Sequence, residues 1–235
     1  MFYIDWTYIV LVLPFVILSL IASARVNSSF KKYSEVFSKR GLSASEAARR
    51  VLEGNGVSGV KIERVQGHLT DHFDPRSNII RLSENVHDSS SVAAIGVACH
   101  EAGHAVQHAK GYIPVKIRTA IVPVTNFGSK LSIPLIFIGV ALSYLGEIYS
   151  YMAYIGVALF GLCVIFQLVT LPVEFNASRR ALNALSLYKL LDRTELSGAK
   201  KVLSAAAMTY VAALAVSVMQ LLRLLLLVGG TRRRR

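Results

Sequence analysis

The sequence predicts a mainly α membrane protein of about four transmembrane helices, with a small α+β domain outside the bilayer. Three observations carry that prediction. The 235 residues are 53% hydrophobic and only 17% charged, with a mean hydropathy of +0.48, too apolar for an ordinary soluble domain. The apolar residues gather in long runs rather than in the short periodic stripes of a globular core. Between the runs lie two polar stretches, the first long enough to fold as a small domain.

Residues 1–26 form an N-terminal anchor, with a first span from Trp6 to Ala24, about the length a bilayer core requires. No basic segment precedes it and Asp5 does, so it reads as a retained anchor rather than a signal peptide. Residues 27–118 form the α+β domain. Phe30, Tyr33, Val36 and Phe37 share one helical face beside Lys31, Lys32, Lys39 and Arg40, the pattern of a helix lying on the membrane surface or under the domain. Ser43 and Glu46 make a capping box opening a helix that closes at Gly54-Asn55-Gly56. Gly59 to Val65 and Asn78 to Leu82 read as short strands, separated by a turn-rich Asp71 to Arg76. Ser89, Ser90 and Ser91 then offer N-caps to a helix that begins Val92 to Cys99 and ends near Gly111 and Pro114.

Residues 119–173 form a hairpin of spans, Leu131 to Leu145 and Tyr151 to Val173, around a turn with Gly146 and Glu147. The first of these is short unless it begins near Ile121 and encloses Lys130. Residues 174–203 are a basic helical segment, and 204–229 a last span from about Ser204 to Val228, in which Arg223 is expected to snorkel toward an interface. Residues 230–235 are a basic tail.

Basic residues orient the spans. Arg25, Lys31, Lys32, Lys39 and Arg40 follow the first span, Lys116 and Arg118 precede the second, and Arg179, Arg180, Lys189, Arg193, Lys200 and Lys201 separate the third from the fourth. Both polar stretches are therefore expected on the cytoplasmic side of the cell membrane. Four crossings then leave Arg232 to Arg235 outside, unless the last span is re-entrant or lies on the surface. The net charge of +12 points to anionic head groups and not to nucleic acid, because the basic residues cluster at span ends. Cys99 and Cys163 make no disulfide framework.

The chemistry lies in His100-Glu101-Ala102-Gly103-His104. Imidazoles four residues apart share one helical face, so both reach a single ion. This is the HExxH pattern of a zinc peptidase, and the domain carrying it is expected to be zincin-like. Glu101, about 100° round the helix, is placed to take the proton of a water as general base and to hand it to the leaving amine. Gly96 and Gly103 imply close approach of another backbone or of a substrate. His108 lies a further turn along, about 6 Å away, and is set aside as a ligand. A catalytic zinc needs a third protein ligand. Glu174, at the edge of the third span with no basic residue three or four positions away, is the nominee. His68, His72, Asp71 and Asp74 compete as single residues, with His72 and His68 nominated instead as oxyanion donors.

The string Gly67 to Arg76, then Arg81-Leu82-Ser83-Glu84, the HEAGHAVQH run from His100 to His108 and Pro172 to Ser178 together resemble the YugP-type neutral zinc metallopeptidases of bacterial membranes, over almost the whole chain. The resemblance implies a membrane-embedded, zinc-dependent peptidase acting on peptide or protein substrates. More distantly the arrangement resembles membrane gluzincins, in which an Asp stands four residues after the Glu ligand; Ser178 occupies that position here. A metal transporter and a scaffold retaining a structural zinc are the alternative classes. The strand near Asn78 to Leu82 is expected to receive an extended substrate along its edge.

Overall fold

The computed structural model describes residues 5–67 and 70–232. The chain folds as two compact units, one of residues Met1–Ile21, Ile117–Leu171 and Thr209–Arg235, the other of Ala22–Lys116 and Pro172–Met208. Four helical stretches are long and apolar enough to cross a membrane, Tyr8–Ser34, Ile113–Ala141, Glu147–Leu187 and Arg193–Gly230.

The first unit is helical throughout. A π-helical turn, Tyr8–Val12, leads into α1 (Leu13–Ser34). Asp5 starts it, its Oδ1 accepting from the Tyr8 N–H at 2.9 Å and the Thr7 hydroxyl at 2.7 Å. The short second span of the sequence is in fact long: α5 (Ile113–Ala141) includes Lys130 and runs through Pro123 and Pro134, which membrane helices tolerate because neighbours satisfy the freed carbonyls. It pairs with α6 (Glu147–Leu187) through small residues. A Cβ on Gly139 would meet the Ala153 nitrogen at 2.5 Å, and one on Gly156 the Ser132 carbonyl oxygen at 2.7 Å. The last span lies in α7 (Arg193–Arg232). Arg223 corrects the snorkelling expectation. It is 8% exposed, donates from Nε to Asp5 Oδ1 at 3.3 Å, and lies 5.3 Å from the Tyr8 ring centre. A buried guanidinium needs an anion, and Asp5 supplies it from 218 residues away.

In the second unit, α2 (Ala44–Gly54) opens with the expected capping box at Ser43 and Glu46. Three strands follow, β1 (Lys61–Val65), β2 (His72–Asp74) and β3 (Ile79–Ser83). They form one sheet in the order β1-β3-β2, with β1 parallel and β2 antiparallel to β3. Two expectations change here. The turn-rich segment contains a strand, and β3 is central, so neither of its edges is open to a substrate. Of the helix expected over Phe30 to Phe37, on the membrane surface or under the domain, the second form holds for its first half: Phe30 and Tyr33 belong to the last turns of α1 and pack against the domain core, while Phe37 sits in extended chain bridged to Ser91.

Then come α3 (Glu84–His87) and α4 (Val92–Ala109). The Ser91 hydroxyl caps α4, accepting from the Ala94 N–H at 3.2 Å. At the other end Gly111 takes φ +62° while the Tyr112 and Gly111 N–H groups bond the Gln107 and His108 carbonyls, a Schellman stop that favours glycine. Nearly every residue of α4 from Val92 to Val106 is buried, because α4 is packed from several sides. Ile80, Leu82 and α2 meet it, and Gly96 lies 3.5 Å, by its would-be Cβ, from Ala199 of α7.

Candidate metal centre

The capped helix α4 fixes where the HExxH side chains emerge. Their complement comes from α6, which α4 approaches at Gly103. A Cβ there would stand 2.7 Å from the Ala177 carbonyl oxygen, so the expected close approach is to a backbone. With the helices that close, Glu174, one turn before Ala177, faces the two histidines. His100 Nε2 lies 3.3 Å and His104 Nε2 3.5 Å from Glu174 Oε2, and the two nitrogens are 3.1 Å apart. The rings meet edge to face at 87°. Four-coordinate zinc with bonds of about 2.1 Å puts neighbouring donors about 3.4 Å apart. The three donors therefore already stand at the spacing that the ion requires, and the set of two imidazoles and one carboxylate suits zinc chemically. Among the described residues these three form the group able to hold a metal.

Each imidazole is also held from behind. His100 Nδ1 is 3.1 Å from the Ser178 hydroxyl, and His104 Nδ1 is 3.0 Å from Gln107 Oε1. As donors at Nδ1, both rings turn Nε2 toward Glu174. Ser178 thus takes up a role at the position where a related pattern has Asp, with a neutral oxygen in place of a charged one. Gln107 is fully buried, and its amide donates to the Val173 carbonyl at 2.8 Å and to Asn176 Oδ1 at 3.0 Å. Asn176 in turn accepts from Arg180 Nε at 2.8 Å, and that guanidinium lies 6.0 Å from the Tyr112 ring centre. Burial alone would lower the His104 pKa; the Glu174 hydrogen bond and the Glu101 and Glu174 charges outweigh it and hold the ring above its ordinary value. Glu101 is itself buried, at 8% exposed.

The remaining nominees stand outside that ligand group. His72 is exposed on β2, its Nδ1 2.8 Å from the Thr70 carbonyl oxygen. His68 lies outside the described residues. His108 is exposed on the last turn of α4, its ring centre 5.9 Å from that of Phe73. Asp71 accepts from the Ser83 backbone at 2.8 Å and from its hydroxyl at 3.0 Å. The Ser77 hydroxyl, the Arg76 N–H and Arg81 hold the Asp74 carboxyl well below the usual range. Asp74 is engaged in its own turn, whereas Asp71 ties the chain before β2 to the end of β3. Cys99, next to His100, is buried, which pushes its thiol pKa far up.

A family described as "Putative neutral zinc metallopeptidase" matches residues 8–229. The chain belongs to that family of zinc peptidases. One relative, "Putative membrane protease YugP" of Bacillus subtilis (strain 168), is 46% identical over 210 residues, which are 89% of this chain and 91% of that protein. No solved structure matches.

Proposed function

We propose that the protein is a multi-pass metalloendopeptidase of the cytoplasmic membrane that hydrolyses peptide bonds on the cytoplasmic side. The observation that carries this reading is the mutual spacing of His100 Nε2, His104 Nε2 and Glu174 Oε2 at 3.1 to 3.5 Å, with Glu101 beside the first histidine. Those three residues would hold zinc, which when bound supplies Lewis-acid chemistry, acidifying water and polarising a carbonyl. The Glu101 carboxylate accepts the proton of the attacking water and delivers it to the leaving amine nitrogen. Gln107 and Ser178 keep the imidazoles aimed. Among the described residues β2 pairs with β3 alone, so its outer edge offers an extended peptide a place to add. His72, on that strand, is the nominee for a second donor to the developing oxyanion.

Purified without chelator, the protein is expected to carry close to one zinc per chain. Glu101→Gln should keep the zinc and lose cleavage of a casein-type or membrane-protein substrate. Glu174→Gln should lose both, the metal at modest chelator concentrations. His72→Ala should slow cleavage at unchanged metal content. Full metal retention in His100→Ala or His104→Ala would sink the site, and zinc without turnover would mark a scaffold. If His72→Ala loses metal while Glu174→Gln keeps it, the third ligand is wrong.

A further inference from the structure

A cleft of about 630 Å³ opens beside the end of α1, lined among others by Asn27, Phe30, Lys31, Phe37, Asn85 and Ser89. Its polar groups divide into spent and free. The Ser34 hydroxyl donates to the Phe30 carbonyl, and the Ser89 hydroxyl donates to Ser91 at 3.0 Å. Lys32, the neighbouring cation, faces the Tyr33 ring at 5.8 Å. The Lys31, Asn27 and Asn85 side chains, all exposed, make no hydrogen bond or ion pair among the described residues, which leaves one ammonium and two amide groups directed by no protein partner. Phe37 adds a ring that is 66% exposed.

Depth decides what such a cleft meets. The apolar run ends at Ala24 and Arg25 is its first charge. At about 1.5 Å per residue, Asn27 lies roughly 3 Å and Lys31 roughly 9 Å beyond Arg25 along the helix. The headgroup layer of one leaflet is about 5 to 8 Å thick. Asn27 therefore stands at headgroup level and Lys31 at its outer boundary, where a lysine side chain reaches back into the layer, on the side that the basic residues assign to the anionic leaflet. Asn85 joins them as a wall of the same cleft.

We propose that this cleft binds the phosphodiester headgroup of an anionic phospholipid, with Lys31 opposite the phosphate, the Asn27 and Asn85 amides donating to its oxygens, and Phe37 against the lipid's apolar part. The proposal is independent of the metal centre. It is tested on the full chain in a neutral detergent, by titrating short-chain phosphatidylglycerol, short-chain phosphatidylcholine and inorganic phosphate while following the melting temperature. Phosphatidylglycerol should stabilise the chain at concentrations at least about tenfold lower than phosphatidylcholine. Lys31→Gln should weaken that binding about fivefold, the worth of one lysine at a lipid surface, and Asn85→Ala should weaken it further. Lys61→Gln, an exposed lysine on β1, should change nothing. The side chains replaced are exposed, and a lipid-free melting transition at the temperature of the parent checks that each variant has folded. Equal binding of the two lipids, an unaltered Lys31→Gln titration, or a full shift from inorganic phosphate alone would each overturn it.

Discussion

Replacing Gln107 by Leu tests whether the polar network behind the metal centre does more than fill space. The side chain is fully buried and makes three bonds, to His104 Nδ1 at 3.0 Å, the Val173 carbonyl at 2.8 Å and Asn176 Oδ1 at 3.0 Å. Leucine has a similar volume, so the cavity term is small. Asn176 still accepts from Arg180. The group left without a partner is the His104 Nδ1–H, which costs about 1–3 kcal/mol when buried. Loss of such a support typically weakens metal binding about 10- to 100-fold, or about 1.4–2.7 kcal/mol, in agreement with the first figure. The assay is a competition titration of the purified protein against a chelator of known affinity, with the melting temperature read in parallel. Gln107→Glu should regain part of the affinity, since its carboxylate accepts from His104, while staying less stable than the parent because it faces the Val173 carbonyl and Asn176 Oδ1. A Gln107→Leu protein that binds zinc within about twofold of the parent would refute the positioning role.

Gly103→Ala places a methyl group 2.7 Å from the Ala177 carbonyl oxygen; α4 and α6 must part, so zinc retention and melting temperature should fall together by an amount on the order of 1–3 kcal/mol, and a variant indistinguishable from the parent in both would contradict the helix contact. With Cys163 replaced by Ala, the buried Cys99 thiol, its pKa pushed up by burial, should resist a maleimide at pH 8 and react with one equivalent only after unfolding; labelling of the folded chain would show the helix to be open. In a chain lacking both native cysteines, a cysteine at Lys39 or Lys189 should be inaccessible to an impermeant thiol reagent in intact cells and one at Tyr149 accessible. The reverse pattern would put the metal centre outside the cell.

What the sequence revealed, and what it hid, follows from the range of the forces involved. The Ser43 and Ser91 caps, the Gly111 stop and the HExxH spacing are local, and each appears in the structure where its own residues announce it. Glu174 was legible for a related reason, a carboxylate at a span's edge with no charge partner on its own helix. The strand β2 was not, because three residues among Asp, His and Pro carry no alternation to read. Nor was the place of β3 within the sheet, since strand order depends on pairings that periodicity does not encode. Arg223 finds its anion only through tertiary packing. Gln107 could have been found: it lies three residues after His104 on the same helical face, but a neutral amide gives no compositional signal. Ser178 was noticed only as a departure, and its contact with His100 supplies the reason.

The two helices that build the metal centre are far apart in the order of synthesis. Gln107 and Asn176, which touch across it, are separated by 69 residues, and both crossings of the α5–α6 hairpin lie between. At roughly 5–20 residues per second, the ribosome takes roughly 4 to 14 seconds to make that interval. Until then a nascent chain exposes two imidazoles and Glu101 without the carboxylate that completes the proposed ligand set. A chain ending at Ala141 should accordingly take up no zinc at concentrations that fill the whole protein. On the proposed reading, zinc uptake is thereby tied to completion of the α5–α6 hairpin, and with it any chemistry that needs the metal.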